Sequence, residues 1–168
     1  MTRAIRLLAA TAALLAAGLL GPPPAGAAAG DKASLTFELG GEALQRGAPT
    51  GLDVMVEIEA GWHIQAHKPN EKFLIPTVLE LQVPEGVKVH EVAYPRPDKA
   101  SFAFAPGKEF LVYAGKLGLA TALELPADFA AGEVRVVASL RYQACDDENC
   151  LPPRTATAEA VFAVDQGT

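Results

Sequence analysis

Cysteine is nearly absent from this sequence: there are two, Cys145 and Cys150, set five positions apart. A disulfide-dense scaffold is therefore excluded, and whatever holds the chain together has to come from an apolar core. Positive charge is also in short supply, with 14 Lys and Arg against 20 Asp and Glu and a net charge of −6. An acidic balance of this kind argues against nucleic acid or an anionic membrane surface as partner. Beyond residue 30 no apolar run is long enough to span a bilayer. There is no Ser-His-Asp arrangement, no glycine loop built to cradle phosphate and no basic patch interleaved with aromatic rings.

What is present begins with a leader. Arg3 and Arg6 precede an apolar run over 7–20, and small residues follow through Ala25-Gly26-Ala27. This order of features reads as a secretory signal peptide over 1–27, cleaved on export. The alternative, an uncleaved anchor, needs roughly 20 apolar residues, and the run is short of that. Removal of 1–27 leaves 141 residues, with 12 basic against 20 acidic side chains and a net charge of −8. That length suits one domain over 28–168 with a full hydrophobic core. Export would carry the two cysteines into an oxidising compartment, where a nearby pair forms a disulfide unless something reduces it.

The rest of the chain alternates with period two. Leu52, Val54, Val56 and Ile58 fall on one side of a strand, with Asp53, Glu57 and Glu59 on the other. Val134, Val136, Ala138, Leu140 and Tyr142 oppose Arg135, Ser139, Arg141 and Gln143 in the same way. Weaker alternation predicts strands over 34–39, 78–83, 87–94, 109–114, 117–125 and 156–164. Turn residues separate them, as at Pro84-Glu85-Gly86 and Pro106-Gly107. About eight short strands and no helix point to an all-β, immunoglobulin-like antiparallel β-sandwich.

The two cysteines flank one turn. The strand through Tyr142 reaches Cys145, and four polar residues, Asp146, Asp147, Glu148 and Asn149, lead to Cys150. Opposed residues of an antiparallel pair have Cα atoms about 4.5–5.5 Å apart, within the range a disulfide tolerates. Closing so small a ring stabilises a fold by only about 2 kcal/mol. The acidic insert has to be solvated, which places the pair at an accessible tip, and its carboxylates disfavour thiolate by repulsion. Pro152 and Pro153 remove two N–H donors just after Cys150 and hold Leu151 extended. On these grounds three readings stay open: a structural hairpin disulfide in a non-catalytic binding module, a redox-active pair, or a metal site. For the last, His63 and His67 could join the cysteines in a Cys₂His₂ set. Residues four apart on an extended chain are about 13 Å apart, however, so a shared ion would need a turn. No metal or other cofactor is expected, and Trp62 and His63 are read as packing near the cysteine tip. Tyr142, just ahead of Cys145, is expected to form part of the same wall.

The stretch Tyr142-Gln143-Ala144-Cys145 through Cys150-Leu151-Pro152-Pro153 resembles the active-site segment of the N-terminal periplasmic domain family of the bacterial thiol:disulfide interchange protein DsbD. Gly61-Trp62-His63-Ile64-Gln65 through Pro69, with Phe73-Leu74-Ile75-Pro76-Thr77, is similar to a segment of the single-domain relatives of that family. The resemblance implies an immunoglobulin-like domain that acts as a protein-to-protein electron carrier. Its partners would be thioredoxin-like periplasmic proteins and a DsbD-type membrane electron transporter. It also implies that Cys150 forms the mixed disulfide with a partner and Cys145 resolves it, a protein-disulfide reductase type of interchange. An aromatic cap loop covers the cysteines in that family, and the matching stretch here is 101–107, with Phe104 the first choice for the shielding ring and Phe102 the second. Because the chain stops at Thr168, its electron donor is expected to be a separate protein, and the domain itself a monomer.

Overall fold

The computed structural model describes residues 30–165. The leader read over 1–27 lies outside them. Among the described residues there is no helix, and every ladder between named strands is antiparallel.

Two sheets make the sandwich. The first holds β1 (Ala33–Leu39), β2 (Pro49–Ile58), β8 (Lys116–Glu124) and β5 (Lys88–Val89), in the order β1-β2-β8-β5. The second holds β11 (Arg154–Ala163), β9 (Glu133–Tyr142) and β4 (Val78–Gln82), in that order. The alternation read from the sequence decides what lies between them. Val54, Val56 and Leu119 of the first sheet pack in one cluster with Ala138, Leu140 and Ala158 of the second. Further along, Leu52 and Leu123 meet Val134 and Val136. Each fully buried Leu or Val contributes roughly 1.5–3 kcal/mol relative to exposure, so this interior outweighs a single short-loop cross-link as a source of stability.

A third sheet, in the order β10-β3-β7-β6, holds β10 (Ala144–Cys145), β3 (His63–Gln65), β7 (Phe110–Tyr113) and β6 (Asp98–Ala100). It grows out of one end of the sandwich. Ala33 opposes Ile58, Lys116 opposes Glu57 and Arg154 opposes Tyr142, so β2 and β9 end where β1, β8 and β11 begin. Three connections at that end are short. β2 reaches β3 through a turn closed by Trp62 N–H donating to the Glu59 carbonyl, with Gly61 at φ +83°. β7 joins β8 through Ala114 and Gly115, the latter at φ +64°. Gln143 alone separates β9 from β10. The positive φ at Gly61 and Gly115 is the conformation that glycine adopts at little cost.

One expected strand is reduced. Only Lys88 and Val89 of 87–94 form a ladder, on Glu124 and Leu123; the chain then returns at an isolated bridge between Ala93 and Ala120. Four residues from Val89 to Ala93 span three from Leu123 to Ala120, so one extra residue bulges out and breaks the pairing. β6 was not foreseen, because Asp98-Lys99-Ala100 has no apolar alternation and forms only by pairing with β7.

Candidate functional site

The third sheet has two unlike faces, and the strict alternation of side chains assigns each residue to one of them. Ile64, Ala66, Tyr113, Ala144 and Tyr142 turn toward the sandwich core. Phe110, Val112 and Cys145 turn the other way and pack with Leu74 and Phe102 in a separate cluster. In the register of β3, Cys145 opposes His63 and Gln65 opposes Val112, so His63 and Gln65 belong to this second face as well.

Cys145 and Cys150 are disulfide-bonded, with Cα atoms 4.0 Å apart, and they form an isolated antiparallel bridge across the four-residue turn. The hairpin geometry expected from the spacing is therefore present, somewhat tighter than the separation anticipated. Accessibility is divided unequally. Cys145 is fully buried, whereas Cys150 is partly exposed and followed by the exposed Pro152 and Pro153. The expectation that both sulfurs lie open at the tip is corrected: the tip exposes the acidic insert, and the sheet draws Cys145 beneath it.

The turn is organised by its own first residue. Asp146 Oδ1 accepts the backbone N–H groups of Glu148 at 2.9 Å and Asn149 at 2.7 Å. Those two N–H groups hold the Asp146 carboxyl below the ordinary aspartate range, because they favour its charged form. Asp146 N–H donates to the Asn149 carbonyl and Leu151 N–H to the Ala144 carbonyl, closing the hairpin on both sides of Cys150. Gln143 extends outward from the same corner, accepting Ile75 N–H and donating to the Leu151 carbonyl.

An aromatic stack lies over the buried sulfur's cluster. Phe102 is 3% exposed, while Phe104 is 41% exposed and stacks on it with ring centres 5.2 Å apart. Phe110 completes the group at 5.6 Å from Phe102 and 5.9 Å from Phe104. His63 meets Phe102 edge-on at 5.4 Å. The ring that shares the cluster with Cys145 is thus Phe102, the second choice, and Phe104 forms an outer layer. Ala103 N–H donates to the Asp147 carbonyl at 3.0 Å, so the aromatic segment is tied to the cysteine turn by its backbone.

A profile of the family described as thiol:disulfide interchange protein DsbD, N-terminal, matches residues 33–161. The chain belongs to this family. No curated protein sequence matches it. Among solved structures it is similar to the N-terminal periplasmic domain of ScsB from Proteus mirabilis. The two share 14% identity over 76% of this chain and 46% of that one, with a TM-score of 0.46. It is also similar to the DsbD n-terminal domain of Neisseria meningitidis in the reduced form, at 12% identity over 78% of this chain and 90% of that one, TM-score 0.41. Spo0M, a sporulation control protein from Bacillus subtilis, gives 14% identity, 82% and 51% coverage and a TM-score of 0.42. The chain spans less than half of the Proteus chain.

For a domain of the DsbD family, two of the anticipated wall residues stand elsewhere. Tyr142 packs in the sandwich core with its hydroxyl accepting Lys32 N–H at 2.9 Å, and burial pushes its phenol pKa up. Three positions separate it from Cys145, which puts the two side chains on opposite faces of an extended chain. Trp62 likewise packs against the core, with Lys32 Nζ 4.6 Å from its ring centre. His63 and His67 also part company. His67 stacks on Tyr94 at 3.8 Å and its Nδ1 pairs with the Thr77 carbonyl, while His63 faces Phe102. Among the described residues no group of three or more His, Cys, Asp or Glu is placed to hold a metal ion.

Gln65 is the site residue that pattern reading passed over. Its side chain is fully buried and Nε2 lies 3.2 Å from Cys145 Sγ. In the short β3, where Gln65 shares a face with His63, no sequence pattern singles it out.

Proposed function

We propose that this chain is a periplasmic thiol–disulfide exchange protein. It passes reducing equivalents between a thioredoxin-like or DsbD-type membrane donor and periplasmic thiol proteins. Membership of the DsbD N-terminal family and a formed Cys145–Cys150 disulfide support the exchange role. The observation that carries the finer reading is the unequal burial of the two cysteines, with Cys150 partly exposed and Cys145 fully buried. A partner thiolate attacks Cys150 Sγ. Its electron pair forms the mixed disulfide, the Cys145–Cys150 bond breaks, and Cys145 leaves with the electron pair as a thiolate. The partner's second thiol, giving up its proton, then attacks its own first sulfur and expels Cys150. The partner ends oxidised and this domain holds two thiols. Run backward, the same steps reduce a client.

Residues 101–107 act as the cap in this reading, with Phe102 and Phe104 excluding small thiols until a partner displaces them. The rival reading, a non-catalytic immunoglobulin-like module with a structural disulfide, draws on the burial of Cys145 alone. The test is capture. Cys145→Ser should accumulate a mixed disulfide through Cys150 with an oxidised thioredoxin-like protein, the Cys150 thiolate attacking the partner's disulfide and expelling its second sulfur as a thiolate, visible as the summed mass. Cys150→Ser should not. Equal capture by both variants, or by neither, would overturn the assigned roles.

A further inference from the structure

Gln65 is held in place from several sides. Its N–H donates to the Gln143 carbonyl at 3.2 Å, its carbonyl accepts the Thr77 hydroxyl, and it is paired in register with Val112 of β7. With the backbone fixed, the side chain lies on the face that carries Cys145. Nε2 donates to Cys145 Sγ, and Oε1 is buried with no partner. His63 Nδ1, on the same face, is also buried without one.

A buried carboxamide is costly unless its hydrogen bonds are made, and sulfur in a disulfide is a weak acceptor. A thiolate is a strong one, because the bond becomes charge-assisted. The group is therefore poorly satisfied while the disulfide stands and well satisfied once Cys145 carries negative charge. Its surroundings otherwise oppose that charge. Asp146, Asp147 and Glu148 of the turn are like-charged, and burial alone raises a thiol pKa. The cap segment from Phe102 to Gly107 brings no charge, and in the segment carrying Leu74, Glu71 is engaged with Lys108 at 3.2 Å while Lys72 is exposed. His63 is the one titratable side chain sharing the buried face.

We infer that Gln65 is a catalytic residue of the exchange, donating from its side-chain NH₂ to the negative charge that develops on Cys145 Sγ as the Cys145–Cys150 bond breaks. The inference rests on the exchange reading given above. In the first step the partner sulfur bonds to Cys150 Sγ and Cys145 departs with the electron pair. Gln65 stabilises that leaving thiolate without giving up a proton, as a preorganised donor does at a developing anion. The proton that finally neutralises Cys145 comes from solvent when reduction is complete. In the reverse direction the same donor keeps a fraction of Cys145 as the thiolate that attacks Cys150 and releases a client.

Gln65→Met keeps the length of the side chain and removes the donor. In a Cys150→Ala background, where Cys145 is the single thiol, ultraviolet thiolate absorbance should show the Gln65→Met midpoint moved to higher pH, with about tenfold less thiolate at a given pH. With both cysteines present, opening of the disulfide by a small dithiol should slow by about tenfold, with the urea unfolding midpoint as control for the fold. An unchanged thiolate midpoint and an unchanged rate would overturn the inference. The unsubstituted protein supplies a second measurement should the variant not fold. On reduction, the side-chain amide protons of Gln65 should shift with the same pH midpoint as the thiolate absorbance, and resonances that ignore that titration would overturn it as well. None of these readings needs a protein partner. Failure of the domain to exchange with thioredoxin-like proteins would remove the proposed function and leave these titrations to judge Gln65.

Discussion

At the scale of single residues the site is a set of unequal pairs. Cys145 and Cys150 share a bond but not an environment, and Phe102 and Phe104 share a stacking contact but not a depth. The inner ring, which packs with the buried sulfur, should matter more than the outer one. Phe102→Ala is expected to speed reduction of the disulfide by a small-molecule thiol at least several-fold, and Phe104→Ala by less. Stopped-flow rates for the two variants compare them directly, and a larger effect at Phe104 would reverse the order proposed. The cysteine spacing alone leaves a structural pair, a redox pair and a metal site open, and the aromatic cap is an implication of the family resemblance. Alternation cannot rank the two rings, because Phe102 and Phe104 are two positions apart and fall on the same side of an extended chain. Gln65 stayed hidden for a different reason: a polar residue in a short strand reads as an exposed position until its sulfur neighbour is known.

At the scale of elements, the decisive unit is the third sheet. Its two faces serve different clusters, and the alternation of β3, β7 and β10 sorts Ile64, Tyr113 and Ala144 from His63, Gln65 and Cys145. The long strands β2 and β9 were legible because ten residues of alternation leave one choice of buried face. β3 and β10 have three and two residues and give too little pattern to assign their faces, whereas Tyr142 belongs to the core side of β9 and, three positions from Cys145, falls on the face opposite to it. Between elements, the Ala103 N–H to Asp147 carbonyl bond couples the aromatic segment to the cysteine turn, and the Asp146 carboxylate accepts two N–H groups within that turn. A carboxyl whose folded pKa is lowered supports the turn at neutral pH and withdraws that support as pH falls through the folded value. The amide resonances of Glu148 and Asn149 should therefore titrate with a midpoint below the ordinary aspartate range. Asp146→Ala should abolish this transition and loosen protection of the Ala103 amide against exchange. A midpoint at or above the ordinary range would contradict the assignment.

At the scale of the whole molecule, a sandwich closed by Val54, Leu119, Leu140 and their neighbours does not depend on the cysteine ring. Opening a loop this short removes about 2 kcal/mol at most by the chain-entropy account. A buried Leu→Ala change costs about 2–5 kcal/mol. Urea denaturation should accordingly show Leu140→Ala to be more destabilising than the double change Cys145→Ala with Cys150→Ala, and the double variant should keep a cooperative transition. Collapse of the fold on losing the cysteines would mark the disulfide as a staple and favour the binding-module reading. A domain that stays folded in both redox states can cycle between them, which is what an electron carrier requires.

The reduction potential of the Cys145–Cys150 couple tests that claim most directly. Equilibration against a dithiol buffer should place it above about −300 mV, within the span of thioredoxin-like proteins, so that exchange runs in both directions. A potential below about −300 mV, where structural disulfides lie, would contradict the account.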